Sequence, residues 1–238
     1  MEKLLNYLFP PRCLFCSSLG SIFCDNCMSE CSLLPIQHCI ICDRISENGA
    51  THETCIKNYS NKVPSRLLAV YSYEGKVRDC IKFSKYGARQ FLSLRRLCAE
   101  AVSICQEMWG KLEGDVCMPV PSSPRKLAFR GFNQANMIAE EVSKKFRINL
   151  QKNILSRTRN TEEQYARSRV LRRENVGGSF GVVNVSAVRG KKVLVVDDIC
   201  TTGATFLESA RVLYGAGAAD VQCFALSKRE KFCYNNRA

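Results

Sequence analysis

Histidine is almost missing from this 238-residue chain: there are two, His38 and His52, beside a single tryptophan. That scarcity removes the commonest general base, and a lone cysteine such as Cys200 has no obvious histidine to activate it as a nucleophile. No apolar run approaches the roughly 18 residues of a membrane helix, so membrane insertion is not expected. The opening "MEKLLNYLFPPRC" has too short an apolar core for a secretory leader and no small-residue cleavage site, which makes a cytoplasmic chain the expectation. Acidic residues are also short, 22 Asp and Glu against 35 Lys and Arg, a net charge of +13. The deficit is concentrated: Arg125 to Glu174 holds 13 basic and 5 acidic residues, a net +8. Such an excess points to an anionic partner, phosphates or nucleic acid, without choosing between them.

Cysteine, by contrast, is abundant, with 15 residues. A reducing cytosol disfavours a disulfide scaffold. The first 55 residues contain Cys13-x2-Cys16, Cys24-x2-Cys27, Cys39-x2-Cys42 and His52-x2-Cys55. Each C-x2-C turn aims two thiolates at one metal, and two such turns complete a tetrahedral zinc shell. Eight ligands imply two structural zinc sites, one of four cysteines and one of three cysteines with a histidine. Sequential pairing gives tandem zinc ribbons and alternating pairing a cross-brace; spacing alone leaves both open. Cys31 and His38 lie nearby but lack a partner at this spacing. A segment this short buries too little apolar surface to fold alone, so metal would supply its folding energy. The other eight cysteines show no pairing pattern and read as small hydrophobes.

Beyond Val63-Pro64 the pattern changes to alternating strands and helices. "LLAVYSY", "DVCMPVP", "KKVLVV" and "DVQCFALSKR" read as strands. "GKVRDCIKFSKYG", "FLSLRRLCAEAVSICQEMW", Phe132 to Phe146 with Asn133 as N-cap, and Ala204 to Tyr214 read as helices. The fold class is therefore α/β, a mostly parallel sheet flanked by helices. Ligands of such sheets sit at the carboxyl ends of the strands, which draws attention to "VLVVDDICTTGAT". Asp197 and Asp198 suit a vicinal diol or a nearby Mg²⁺. Thr201, Thr202, Gly203, Ala204 and Thr205 then open a helix, where backbone N–H groups and hydroxyls suit a phosphate.

This stretch resembles the 5-phosphoribosyl 1-pyrophosphate (PRPP) signature of type I phosphoribosyltransferases. With "LFPPRCLFC", Lys85 to Gly87, "MPVP", "RGFNQA", "RTRNTEEQ" and the zinc-type cysteines, the chain resembles the ComF family from Cys13 to Lys228. The resemblance implies a zinc-ribbon segment over residues 1–62 and a phosphoribosyltransferase-like domain over 63–238, with a mobile hood at about 155–180. It implies that Asp197 and Asp198 hold the ribose hydroxyls and that Thr201 to Thr205 hold the 5-phosphate. The loop with Ser122, Ser123, Arg125 and Arg130 would face the pyrophosphate, and Arg157, Arg159 and Arg172 of the hood would neutralise leaving charge. Many relatives carry leucine and histidine where this chain has Ser122 and Ser123, which takes a titratable group from that side.

Two functions follow. One is an Mg²⁺-dependent phosphoribosyltransferase of unidentified acceptor, linked to DNA uptake in natural competence. The other is an accessory protein that binds single-stranded DNA, works with the competence machinery and uses PRPP only as a regulatory ligand. No nucleobase pocket is recognisable in the sequence.

Overall fold

The computed structural model describes residues 10–84, 88–157 and 179–229. Its centre is a five-stranded, all-parallel sheet. β1 spans Arg66–Ser72, β2 Val116–Pro119, β3 Asn149–Leu150, β6 Lys192–Cys200 and β7 Asp220–Lys228, in the order β1-β7-β6-β2-β3. The continuous apolar runs noted in the sequence become strands because both faces of the sheet are covered. Alternate residues serve two separate cores. Leu68, Val70, Leu194 and Val196 join one, and Leu67, Ala69, Val193 and Val195 join the other.

Helices cover the first face: α3 (Gly75–Phe83), α4 (Ala88–Trp109) and α6 (Gln134–Phe146). The second face is covered by α7, Ala204–Gly215, through Phe206, Ala210 and Leu213. Asn133 caps α6 as the sequence suggests, its side chain accepting from the Ala135 N–H. The helix ends at Arg147 in the left-handed region, φ 58°.

Among the elements not apparent in the sequence is the short helix α5, Pro124–Arg130. Its start is local chemistry: Ser123 accepts from the Lys126 N–H and Pro124 takes the first turn, where a missing N–H costs nothing. Gly131 stops it at φ 75°. No residue of α5 is buried. Without an apolar stripe, the periodicity that reveals other helices had nothing to act on.

The N-terminal residues contain α1 (Asp25–Ser29), a 3₁₀ turn (Glu47–Gly49) and α2 (Glu53–Asn58). They are packed into the same cores, Cys13, Phe23 and Cys27 into the first, Leu34 and Ile40 into the second. They also cover the outer edge of β1. Leu34 N–H donates to Val70 O, Ser72 N–H to Ser32 O, and the Gln37 amide bonds both ways with the Ala69 backbone. An edge strand left bare would offer those groups to another chain. This cover explains why β1 is buried along six of its seven residues rather than on alternate ones.

Chain direction explains where a ligand belongs. From β2 the chain moves outward to β3, and from β6 it moves the other way to β7. β2 and β6 are neighbours, in register from Val116–Val193 to Pro119–Val196. Their carboxyl ends therefore flank the topological switch point, where the crossing connections part and leave a crevice. β4 (Leu155–Arg157) and β5 (Phe180–Val182) form a small antiparallel pair beside it. No helix among the described residues is long and apolar enough to cross a membrane.

Candidate functional site

A cleft of about 240 Å³ opens at that switch point. One wall is Asp197, Asp198 and Ile199 of β6 with Thr205 of α7; the opposite wall is Val120 to Ser123 after β2, with Lys126 and Arg130 of α5. Arg157 enters from β4, and Asn133 and Gln134 close the end from α6. Carboxylates thus face a cationic, hydroxyl-bearing wall, an arrangement suited to a ligand carrying both hydroxyls and phosphate charge.

Each group is held by its element. Asn133 accepts from Ser122 Oγ at 2.8 Å and donates to Val120 O at 2.8 Å, so it ties the loop after β2 to the start of α6. Gln134 is 3 % exposed and donates to Ile81 O at 2.8 Å and Ser84 Oγ at 2.5 Å, which links the cleft to the end of α3. Arg157 donates from Nε to Pro121 O at 3.2 Å and lies 5.3 Å from the Phe180 ring, its cross-strand neighbour.

Asp197 accepts from the Asp198 N–H at 2.9 Å. Its carboxyl is held well above the usual carboxylate range, first by burial and then by the negative charge of Asp198, with Arg157 pulling weakly the other way. An entering cation or hydroxyl donor would favour ionisation of Asp197. The loop from Thr201 then turns at Gly203, whose φ of 77° requires the left-handed region, and enters α7 without a side-chain cap from that residue. Thr202 Oγ1 accepts from the Ala204 N–H at 3.4 Å. The other amides of the first turn of a helix of this length are where an anion is well received.

The cysteines resolve into two groups. Ligand atoms of Cys13, Cys16, Cys24 and Cys27 lie within 4.8 Å of one another, as do those of Cys39, Cys42, His52 and Cys55. Pairing is therefore sequential, and the cross-brace is excluded. Tetrahedral zinc with bonds of roughly 2.3 Å sets sulfurs about 3.8 Å apart, so both donor sets fit the ion. His52 Nδ1 is 3.3 Å from Cys42 Sγ while its Nε2 lies 3.2 Å from Ile45 O. A donor bond from Nε2 to that carbonyl leaves Nδ1 as the ligand atom. Burial opposes the Cys42 thiolate, but hydrogen bonds from Arg44 and His52 outweigh it and bring the thiol down to about 6. Burial instead pushes Cys27 up to about 12 and Cys55 to about 11. Cys31 stands apart and donates to Cys27 O, and all described cysteines are free thiols.

Of the residues singled out in the sequence, Ser122, Ser123, Arg130, Arg157, Asp197, Asp198 and Thr205 meet in the cleft. Thr201 to Ala204 form the loop between lining residues Ile199 and Thr205. Arg125 is exposed and is not part of the lining. Arg159 and Arg172, the "KYG" triplet and most of the expected hood lie outside the described residues. Lys126 and Gln134 line the cleft without having been singled out. Their positions were readable from the basic "PRKLAFR" and the helix start that follows, but only α5 places Lys126 on the wall.

Residues 133–231 match the phosphoribosyl transferase domain. The DNA utilization protein YhgH of Escherichia coli O157:H7 is 28% identical over 205 residues, covering 80% of this chain and 89% of that protein. Competence protein ComFC of Streptococcus pneumoniae (strain ATCC BAA-255 / R6) is 29% identical over 207 residues, covering 87% of each chain. Competence protein F of Haemophilus influenzae (strain ATCC 51907 / DSM 11121 / KW20 / Rd) is 25% identical over 227 residues, covering 91% and 96%.

Proposed function

We propose that this chain, which belongs to the ComF family, binds PRPP with Mg²⁺ in the cleft between β2 and β6 and acts in DNA uptake or handling. The observation that carries the reading is the opposition of chemistries across one crevice. Asp197 and Asp198 stand on one wall, and Ser122, Ser123, Lys126, Arg130 and Arg157 stand on the other or enter beside it. In this reading the two carboxylates accept from the ribose hydroxyls, and residues Thr201 to Thr205 hold the 5-phosphate. The basic wall takes the pyrophosphate, with Arg159 and Arg172 joining from the hood at about 155–180. Residues 1–62 form the zinc-ribbon unit and 63–238 the phosphoribosyltransferase-like unit.

Transfer would proceed by electrostatic support of the departing pyrophosphate, with the acceptor supplying its own nucleophilic atom. The role in DNA handling is supported by the names of the relatives and by α5. That helix presents Arg125 and Lys126 with Phe129, which is 74 % exposed, a mixture suited to phosphates and a stacked base. A non-catalytic, single-strand-binding protein regulated by PRPP is the alternative that this surface favours.

Titration calorimetry with PRPP and Mg²⁺ tests the reading. Asp197→Asn combined with Asp198→Asn should abolish the binding heat while circular dichroism stays unchanged. Wild-type affinity in that double variant would refute the site. Incubation with PRPP, Mg²⁺ and candidate bases separates the two forms of the proposal: pyrophosphate release above the buffer rate selects the transferase.

A further inference from the structure

We propose that Ile40 and Asp43, in the ligand turn of the second cysteine cluster, are positioning residues for the loop Thr201 to Thr205. The loop and the turn approach closely, chiefly through the Ile40 side chain. A Cβ built on Gly203 would lie 2.9 Å from Ile40 Cγ1 and 3.5 Å from Ile40 O, so the loop lies flush against the turn and only glycine fits there. Ile40 is 6 % exposed and shares a core with Cys200 and Phe206, the residues on either side of the loop. Neither Ile40 nor Asp43 lines the cleft, so they back the loop without entering the ligand's space.

Asp43 gives a second point of attachment. Its Oδ1 is 2.7 Å from Lys228 Nζ, and Lys228 pairs with Cys200 across the β6–β7 ladder. Arg229 N–H donates to Cys200 O, and Ser227 Oγ donates to Asp198 O, so this end of β7 fixes the strand from which the loop departs. The turn is itself rigidly closed. Cys39 N–H donates to Arg44 O and Asp43 N–H to Cys39 O, with Asp43 in the left-handed region at φ 59°. Metal held by Cys39 and Cys42 would lock it further. Anion recognition by backbone amides depends on their converging on one point, and a backing surface that holds Gly203 in place preserves that convergence.

For PRPP the inference rests on the reading above; for the loop itself it does not. The experiment uses the full-length, zinc-loaded protein with Ile40→Ala, the conservative Ile40→Val, and Phe23→Leu as a control. Phe23 is fully buried beside the first cluster, its ring 4.9 Å from Phe15. In Ile40→Ala, hydrogen exchange of the amides at 201–205 should quicken by about fivefold or more without ligand, and PRPP should bind about tenfold more weakly, with both metals retained by mass spectrometry. Ile40→Val should stay within about twofold on both readouts, and Phe23→Leu likewise although it lowers the melting temperature. Wild-type loop exchange in Ile40→Ala would overturn the inference, as would an equal rise in Phe23→Leu. If Ile40→Ala sheds the second metal, Lys228→Met decides on the same exchange measurement, faster exchange supporting the inference and unchanged exchange refuting it. If the wild type takes no PRPP, the binding reading fails and loop exchange still decides.

Discussion

Cys13 to Ser17 and Cys39 to Asp43 make the same turn 26 positions apart and are put to different uses. In each, the N–H of the fifth residue donates to the first cysteine's carbonyl, and that fifth residue is left-handed, φ 63° at Ser17 and 59° at Asp43. Each turn is framed by an antiparallel bridge, Arg12–Leu19 and His38–Ile45. Each is completed by a ligand at the N-cap of a short helix, Cys24 before α1 and His52 before α2. The neighbours differ. The first turn places Phe15 on Phe23, and the residues that follow it reach α4 through Asp25–Arg96 and a bond from Ser93 to Ile22 O. The second places Ile40 under Gly203 and Asp43 on Lys228. One local design, repeated, gives a staple on the helical face and a backing for the candidate phosphate loop. The two turns share their backbone geometry and differ in what their side chains touch.

The most severe way to break the comparison is to remove both metals. Zinc contributes on the order of 10 kcal/mol to such small units at neutral pH. A strong chelator should therefore unfold residues 10–62 and bare the β1 edge, seen as a collapsed thermal transition and rising light scatter. Acidification should act in the same direction. The Cys27 and Cys55 thiols, at about 12 and 11 without metal, must lose protons to bind it, so protons compete as pH falls. An unaltered melting curve after complete metal removal would end the structural reading of both clusters.

Removing single ligands sharpens the contrast. Cys13→Ser and Cys39→Ser should each lose one metal and destabilise the chain by several kcal/mol, but only Cys39→Ser should weaken PRPP binding, by about tenfold against less than about twofold. Equal affinity losses in the two variants would mean that the clusters are functionally interchangeable. A smaller lever is Asp43→Asn. It leaves Lys228, 8 % exposed, without this partner, at a cost of about 1–2 kcal/mol once partial exposure of the pair is allowed for. Adding Lys228→Met should recover most of that loss in a denaturant titration, and no recovery would show that the pair is not coupled.

Four of the five strands were legible because they are continuous apolar runs, and the long helices because they carry apolar stripes. That Asp197 and Asp198 line the cleft was legible because they lie toward the carboxyl end of a buried parallel strand. Three features were not. The sequential pairing of the cysteine turns depends on chain path, which spacing does not record. The helix α5 has no buried face, so only its cap residues Ser123 and Gly131 hinted at it. The contact of Ile40 with Gly203 joins residues 163 positions apart and is set by how the N-terminal turns cover β1 and the second core. No local pattern encodes such a contact; the glycine reads equally well as a loop residue or a helix start.

The gentlest test contrasts the two faces of the same loop region. On the side of the turn, Ile40 and Asp43 add packing and charge pairing. On the cleft side Asp197 carries a carboxyl that burial and Asp198 hold well above its ordinary value. The folded chain thus holds this proton more tightly than the unfolded chain does. The stability tied to this group is complete at pH values below the ordinary carboxylate range and declines as pH rises toward the elevated folded value. Asparagine keeps the oxygen that accepts from the Asp198 N–H and has no proton to lose. Asp197→Asn should therefore raise the melting temperature of the ligand-free protein by about 2–4 °C at neutral pH, for about 1 kcal/mol, with the gain shrinking as pH approaches 4. The same variant should lose PRPP. A variant that melts lower at neutral pH would show that Asp197 supports the fold, and would place it with the residues backing the loop instead of those facing the ligand.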